Sequence, residues 1–342
     1  MDAAIETLFL PLKNGDVPAG ARTLFIGASA HPYLKELKNV DIWQPFKPLA
    51  DTLGGYDVRT LENIPAERVY DLVLVNVPKQ GEEARYWLAC GLRCLNPGGT
   101  ILIAAANDAG GGRIQKWLKD LEVETDSLSK NKARAVWGRR PENKPKLLEQ
   151  WIDEGSYALL QSGDGEEFVT QPGVFGWSKI DIGSGLLAEQ FDNPKLKGRG
   201  ADFGAGIGYL SRELLIDENA VKELHLMEAD ARALVCAREN MKGYEGDCTL
   251  AYHWTDLTKL QPQIRGGLDF IIMNPPFHTG AKTDIGIGKD FIQTAARTLR
   301  KGGTLLMVAN RQLPYEAALS SLYSTVRVVV ERDGFKVIEA VV

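Results

Sequence analysis

Two stretches of this chain are apolar at consecutive positions instead of alternating. One is Leu72-Val73-Leu74-Val75, inside Val69-Tyr70-Asp71-Leu72-Val73-Leu74-Val75-Asn76-Val77-Pro78. The other is Phe270-Ile271-Ile272-Met273, inside Gly267-Leu268-Asp269-Phe270-Ile271-Ile272-Met273-Asn274-Pro275-Pro276. A strand apolar on both faces is one covered on both faces, as in the interior of a parallel sheet. Each run is followed by a helical stretch and then by a glycine-marked strand start. These starts are Asn96-Pro97-Gly98-Gly99-Thr100-Ile101-Leu102-Ile103 and Arg300-Lys301-Gly302-Gly303-Thr304-Leu305-Leu306-Met307, with Asn107 and Asn310 further on. Strand, helix, tight Gly-Gly turn, strand is a βαβ unit. Its repetition in the same order predicts two similar α/β domains arising by duplication. At the end of the chain, residues 325–331 and 335–342 flank Arg332-Asp333-Gly334. This predicts a hairpin on an Asp-Gly turn that closes the parallel sheet with antiparallel strands.

Two domains also fit the length of 342 residues. Prolines and charges at Arg139-Arg140-Pro141-Glu142-Asn143-Lys144-Pro145 break any regular element, so the expected domains are 1–140 and 141–342. A lead-in follows, with a helical pattern over 147–160, a turn at Ser162-Gly163-Asp164-Gly165 and a second helix over 184–191. Hydrophobic content of 44% and charged content of 25% belong to a soluble globular protein. No run is long enough for a membrane span, and residues 1–10 carry Asp2 and Glu6 without a basic segment, so a cytoplasmic location is expected. Cys90 and Cys94 are one helical turn apart with no histidine nearby, which points to buried free thiols and no metal site.

The copies differ where chemistry would sit. The second has Asp202-Phe203-Gly204-Ala205-Gly206-Ile207-Gly208 and the first has Phe25-Ile26-Gly27-Ala28-Ser29-Ala30-His31. One glycine of three is kept in the first, the acid is gone, and Ser29 and His31 obstruct close backbone approach by a ligand. Asn76-Val77-Pro78-Lys79 lacks a proline and the aromatic of Asn274-Pro275-Pro276-Phe277. The first copy is therefore expected to keep its fold and lack a cofactor site.

In the second copy, Gly204, Gly206 and Gly208 follow a short strand and precede a helix from about Tyr209. Dinucleotide enzymes use similar loops, so the glycines alone do not discriminate. Glu228 ends the run Leu224-His225-Leu226-Met227, where a carboxylate accepts from both ribose hydroxyls of an adenosine. Asp202 stands before the turn, placed to meet the amino-acid end of S-adenosylmethionine. Asp256 follows Tyr252-His253-Trp254-Thr255, where an acceptor takes an adenine amine beside Trp254; helix capping is an equally good and compatible role. Asn274-Pro275-Pro276-Phe277 falls at the C-terminal end of the next strand. It offers carbonyl acceptors on rigid prolines and a flat apolar ring, a slot for a planar group bearing an NH2.

These residues resemble the class I S-adenosylmethionine-dependent methyltransferases, and within them the two-domain bacterial ribosomal RNA guanine-N2 methyltransferases whose small-subunit member modifies 16S RNA. The likeness covers most of the chain. It is strongest in Thr170-Gln171-Pro172-Gly173-Val174-Phe175, Asp181-Ile182-Gly183-Ser184, the glycine turn, Asn274-Pro275-Pro276-Phe277-His278 and Val308-Ala309-Asn310-Arg311-Gln312-Leu313-Pro314-Tyr315. It implies two tandem Rossmann-like methyltransferase domains, each a parallel sheet with a terminal antiparallel hairpin, the first degenerate. It implies S-adenosylmethionine as cofactor at Asp202, Gly204, Ala205, Gly206, Glu228, Ala229, Trp254, Asp256 and Asn274, and catalysis by Asn274, Pro275 and Phe277. The implied partner is ribosomal RNA or the small ribosomal subunit, the implied state a monomer. Methylation of adenine N6 or of a glutamine amide uses the same slot and remains an alternative, as does a non-catalytic RNA-binding assembly factor.

The charge balance is awkward for an RNA partner: net −5, with 20 Lys+Arg against 19 Asp+Glu in residues 1–150 and 20 against 26 in residues 151–342. Lys130, Lys132, Arg134, Arg139, Arg140, Lys144 and Lys146, against Glu142 alone, form either a solvated edge or a phosphate-contacting stripe.

Overall fold

Both consecutive apolar runs become the fourth strand of a seven-stranded sheet. The computed structural model describes residues 2–342 apart from 164, 217–219, 247, 262–263, 265–266, 277, 280–281 and 284. The chain divides into two units, Met1–Ser156 and Tyr157–Val342. The division lies later than the expected 140, because helix Leu147–Glu154 buries Leu148, Trp151 and Ile152 in the core of the first unit. That helix ends at Glu154, before the expected 160.

The sheet strands of the first unit are Thr23–Ile26, Val40–Trp43, Val58–Thr60, Tyr70–Asn76, Leu95–Ala106, Asp126–Lys130 and Ala133–Arg139. Those of the second are Gly198–Phe203, Val221–Glu228, Thr249–Trp254, Leu268–Met273, Leu299–Asn310, Thr325–Arg332 and Phe335–Val341. Numbered within its own unit, each sheet has the order 3-2-1-4-5-7-6. Strands one to five are parallel and the last two antiparallel.

The duplication extends to irregularities. The Gly-Gly pair does not end a turn between elements; it lies inside one long strand in each unit. Pairing steps from Tyr70↔Leu95 to Leu72↔Thr100 in one and from Leu268↔Leu299 to Phe270↔Thr304 in the other, so both units extrude the same extra residues. Gly98 and Gly302 allow this at φ of 75° and 76°. The shared aspartate is structural: Asp71 accepts from the Arg22 N–H (3.1 Å) and Asp269 from the Arg199 N–H (2.8 Å).

In the second unit, alternate residues of the fourth strand serve two cores. Ile271 and Met273 pack with Phe291, Ile292 and Ala295 of helix Ile285–Thr298. Phe270 and Ile272 pack with residues of helices Ile182–Ala188, Tyr209–Ile216 and Ala231–Asn240. Burial on both faces stabilises the strand by about 1.5–3 kcal/mol per large apolar side chain. It also fixes the strand ends that carry the site.

One buried charge gives this unit an acid dependence. Glu339 on the last strand is 2% exposed and accepts from Lys195 Nζ (2.7 Å), Asn193 Nδ2 (2.7 Å) and Arg327 Nε (2.9 Å). Burial alone would raise its pKa; the three donors, Arg327 foremost, instead hold it at about 2. A depressed carboxylate stabilises the fold above its unfolded pKa, and the contribution disappears as pH falls from about 4.5 to about 2. Relative to Glu339→Gln, the parent should be more stable at pH 7 by about 3 kcal/mol, the free-energy equivalent of that shift. Denaturant titrations across this range should show the two proteins converging at the acid end.

Candidate active site

In each sheet the order reverses between strands one and four, and open α/β sheets bind ligands in the crevice beyond that point. In the second unit, Phe203 pairs with Met273, so Gly204 and Asn274 leave the sheet side by side. A side chain added at Gly204 would begin 3.9 Å from the Asn274 carbonyl oxygen.

The glycine turn is held from below by its neighbours. The Gly204 and Ala205 N–H groups donate to the Met227 carbonyl (2.8 and 3.1 Å), and Gly206 N–H to Glu228 Oε2 (2.9 Å). The other Glu228 oxygen accepts from the Ala229 and Asp230 N–H groups (2.6 and 2.9 Å). Gly204, Gly206 and Gly208 have φ of 77°, 54° and 85°, the left-handed region that side chains disfavour. At Gly206 the place of a Cβ is open space, so a ligand can lie on bare backbone. The pKa of Glu228 is raised, because burial outweighs its backbone donors.

Asp202 is fully buried beneath the turn. Its Oδ2 accepts from Ser211 Oγ (2.8 Å), while Oδ1 has no hydrogen-bond partner among the described residues. Burial, reinforced by the Glu228 charge, pushes its pKa up to about 7. A buried acceptor without a donor is costly and marks a place where a ligand donor fits.

Asn274 borders a small cleft that also reaches Phe175, Asp181, Ser184, Gly204 and Gly206. Its Nδ2 donates to Asp181 Oδ2 and Ser184 Oγ, both at 2.9 Å. Its Oδ1 makes no hydrogen bond among the described residues. Pro275 is buried and Pro276 exposed. Phe277, the expected stacking ring, lies outside the described residues. Phe175 and Ile182 are 60% and 59% exposed in the segments that flank this mouth.

The end of the third strand carries Trp254, with Asp256 two residues on. Trp254 Nε1 donates to the Ala229 carbonyl (2.8 Å), riveting the third strand to the Glu228 loop. Asp256 accepts from the Thr258 N–H (3.0 Å) and Oγ1 (2.6 Å) and pairs with Lys259 (3.1 Å). Burial would raise its pKa, but Thr258 and Lys259 lower it. These contacts, with the Lys259 N–H donating to the Asp256 carbonyl (3.1 Å), close a turn; no helix begins at Asp256, so the helix-capping role expected from the sequence is not found.

Asp181, Ser184 and Phe175 stood in the sequence only as parts of motifs. The signal for the first two was a capping pattern: Asp181 accepts from the Ser184 N–H (2.9 Å) and starts helix Ile182–Ala188. That helix begins two residues before the expected 184. The basic stretch is divided by its contacts. Lys130, Lys132 and Arg139 are exposed, Arg140 donates to the Leu95 carbonyl (3.2 Å), and Lys144 pairs with Glu149 (2.8 Å).

The first unit repeats the backbone of this site with different side chains around it. Gly27 and Ala28 N–H groups donate to the Trp43 carbonyl (2.9 and 3.4 Å), as Gly204 and Ala205 do to Met227. Register then places Phe25 where the second unit has Asp202, Gln44 where it has Glu228, and Asn76 where it has Asn274. Gln44 spends its amide on the Ala28 carbonyl (2.6 Å) and the Phe46 N–H (2.9 Å). Trp87 is so close to Gly27 that an added Cβ would sit 2.5 Å from its ring. His31, at the Gly208 position, is buried and stacked on Phe9 at 4.2 Å.

Comparison with known proteins decides the family. The family model described as methyltransferase small domain matches residues 165–339, and its N-terminal companion, methyltransferase small domain N-terminal, matches residues 11–154. The chain belongs to the methyltransferase small-domain family. Family members include ribosomal RNA small subunit methyltransferase C of Shewanella loihica, 31% identical over 280 residues, 80% of this chain and 78% of the relative. The protein of the same name from Acinetobacter baylyi is 30% identical over 276 residues, 80% of each chain. In fold the chain is similar to the T. thermophilus 16S rRNA N2 methyltransferase (RsmC), solved with AdoMet and guanosine. The TM-score is 0.80 at 21% identity, covering 99% of this chain and 92% of the other.

Proposed function

We propose that the second unit transfers a methyl group from S-adenosylmethionine to the exocyclic N2 amine of a guanine in 16S ribosomal RNA, and that the first unit binds no cofactor. One observation carries this reading: Gly204 and Asn274 emerge from paired strands, so a cofactor cradle and a cluster of carbonyl acceptors share one mouth. The names of the Shewanella and Acinetobacter relatives, and the guanosine held by the T. thermophilus enzyme, support the choice of substrate.

The residues fit the cofactor. Glu228 offers carboxylate oxygens to the ribose hydroxyls, and Gly204, Ala205 and Gly206 offer bare backbone. Asp202 offers its unpartnered Oδ1 to the amino-acid end. Ala229, Trp254 and Asp256 border the adenine side. When bound, S-adenosylmethionine supplies an electrophilic sulfonium methyl.

The rest of the mechanism belongs to the protein. The guanine is unstacked, at about a few kcal/mol, and enters the mouth. Asn274 Oδ1 and the Pro275 carbonyl accept its two amine N–H bonds. That localises the nitrogen lone pair, which is otherwise delocalised into the ring, and so favours the transition state over the ground state. The role of stacking on the base is assigned to Phe277. Holding the nitrogen in line contributes about 7–11 kcal/mol when geometry is near attack. The proton leaves to water once the amine carries the new methyl.

Calorimetry tests the cofactor half of this reading. S-adenosylmethionine should bind at one equivalent per chain; a flat titration contradicts the enzyme, and two equivalents contradict a first unit that binds no cofactor. The binding should depend on pH. Asp202 is protonated below about 7, and its carboxylate form attracts the cofactor's ammonium group. Affinity should therefore rise with pH through 7 and fall by up to about tenfold per unit below it. Asp202→Asn should flatten the profile; a parent profile already flat from pH 5.5 to 8.5 removes Asp202 from the site.

A further inference from the structure

We propose that Asp181 and Ser184 form an amide lock on Asn274, fixing its oxygen rather than its NH2 toward the substrate, and that Asp181 is thereby a positioning residue of the reaction. The proposal rests on the reading of Asn274 as the amine acceptor and goes beyond it, because it says what makes Asn274 an acceptor.

An asparagine amide has two ends of opposite chemistry and similar shape. Left to turn about its last bond, it would present a donor to the substrate amine in some molecules and an acceptor in others. In this protein the Nδ2 end is committed. One hydrogen goes to Asp181 Oδ2 and the other to Ser184 Oγ, each at 2.9 Å. A carboxylate oxygen only accepts, so turning the amide over would set Oδ1 against Asp181 Oδ2 at that distance. Two acceptors in contact repel, and the lost bond is charge-assisted. The observed orientation is therefore the stable one.

Asp181 is itself fixed. The same Oδ2 accepts the Ser184 N–H at 2.9 Å, capping helix Ile182–Ala188, and Ser184 is buried. One carboxylate oxygen thus ties a helix start to a strand end 93 residues away in sequence. With both Nδ2 hydrogens used, Oδ1 remains for the cleft that Gly204 and Gly206 also border. A mouth made of Asn274 Oδ1 and proline carbonyls then only accepts. It selects a nucleobase edge bearing NH2 and repels one bearing a carbonyl at the same place.

Serine separates the two roles of Asp181. It caps helices as well as aspartate does, but it is one bond shorter and cannot also reach Asn274. Asp181→Ser and Ser184→Ala should each lower kcat for methyl transfer about tenfold, and the double variant about a hundredfold, the scale of a misplaced reacting group. Thermal midpoints should stay within about 2 °C of the parent, and S-adenosylmethionine affinity within about threefold, since neither depends on the lock. Asp181→Asn should recover most of the lost kcat, because its amide oxygen can accept both bonds. In an Asn274→Ala background, Asp181→Ser should change nothing further.

A second readout is independent of turnover. With asparagine amides 15N-labelled, the Asn274 side-chain protons, assigned by their absence in Asn274→Ala, should be protected from exchange in the parent and exposed in the double variant. Four results would overturn the lock: parent-like kcat in the double variant, losses that track stability or cofactor affinity, an equal tenfold loss on top of Asn274→Ala, or unprotected amide protons in the parent. A protein inactive on every RNA but with protected Asn274 protons would refute the proposed reaction and leave the lock standing.

Discussion

Asn274→Ala should lower turnover about 10²–10³-fold while S-adenosylmethionine affinity stays within about threefold. The magnitude is that of removing one preorganised polar group aimed at developing charge in a transition state. The asymmetry follows from geometry. The cradle below Asn274 is built from Gly204, Gly206 and Glu228, whose bonds run to Met227, Ala229 and Asp230 and do not pass through Asn274. The alanine variant also releases Asp181 and Ser184 from their bonds to Nδ2, but their own bond remains and keeps helix Ile182–Ala188 capped. Single-turnover rates beside calorimetric affinities check this. Unchanged turnover would remove Asn274 from the chemistry, and affinity falling in step with rate would make it a cofactor ligand only.

Glu228→Ala should have the opposite signature: cofactor affinity down at least about 100-fold, with the catalytic step spared at saturation. Three backbone N–H groups, from Gly206, Ala229 and Asp230, converge on this carboxylate. Hydrogen bonds to a charged partner are worth about 1.5–3 kcal/mol each. Losing them loosens the turn as well as deleting the ribose acceptors. Glu228→Gln should fall between, since one acceptor oxygen becomes an NH2 that faces either a backbone N–H or a ribose hydroxyl. The first unit carries that replacement naturally as Gln44, whose amide is consumed by Ala28 and Phe46. Equal affinity for parent and alanine variant, measured by calorimetry, would place the ribose elsewhere.

Much of this was legible in the chain because the informative residues are ones whose backbone demands are unusual. Glycines at positive φ, paired prolines and consecutive apolar runs announce turns and buried strands without reference to partners, so the duplicated sheets and the glycine turn could be read directly. The interactions that give Asn274 its orientation could not. Asp181 stood in the sequence only inside a motif, and nothing local reveals that the oxygen which caps helix Ile182–Ala188 also reaches a residue 93 positions later. The Gly-Gly pair misled for a related reason: a turn and a bulge within a continuous strand need the same left-handed glycine, and only the neighbouring strand shows which is present. The domain division moved because Trp151 and its neighbours choose a partner surface that composition does not specify.

The first unit repeats the fold with different side chains at the turn. Its turn keeps the hydrogen bonds that position Gly27 and Ala28, while Trp87 packs on Gly27, His31 stacks on Phe9 and Gln44 bonds to Ala28 and Phe46. Folding needs the backbone bonds of the turn and ligand binding needs the side chains around it, so the two can change separately.

The most direct test is transfer of a tritiated methyl group from S-adenosylmethionine to small ribosomal subunits, followed by digestion and nucleoside separation. Label should appear in N2-methylguanosine of 16S RNA, about one per subunit, and should accumulate about 10²–10³-fold more slowly with Asn274→Ala. Label in N6-methyladenosine or in a protein glutamine, or no label in any substrate, would contradict it.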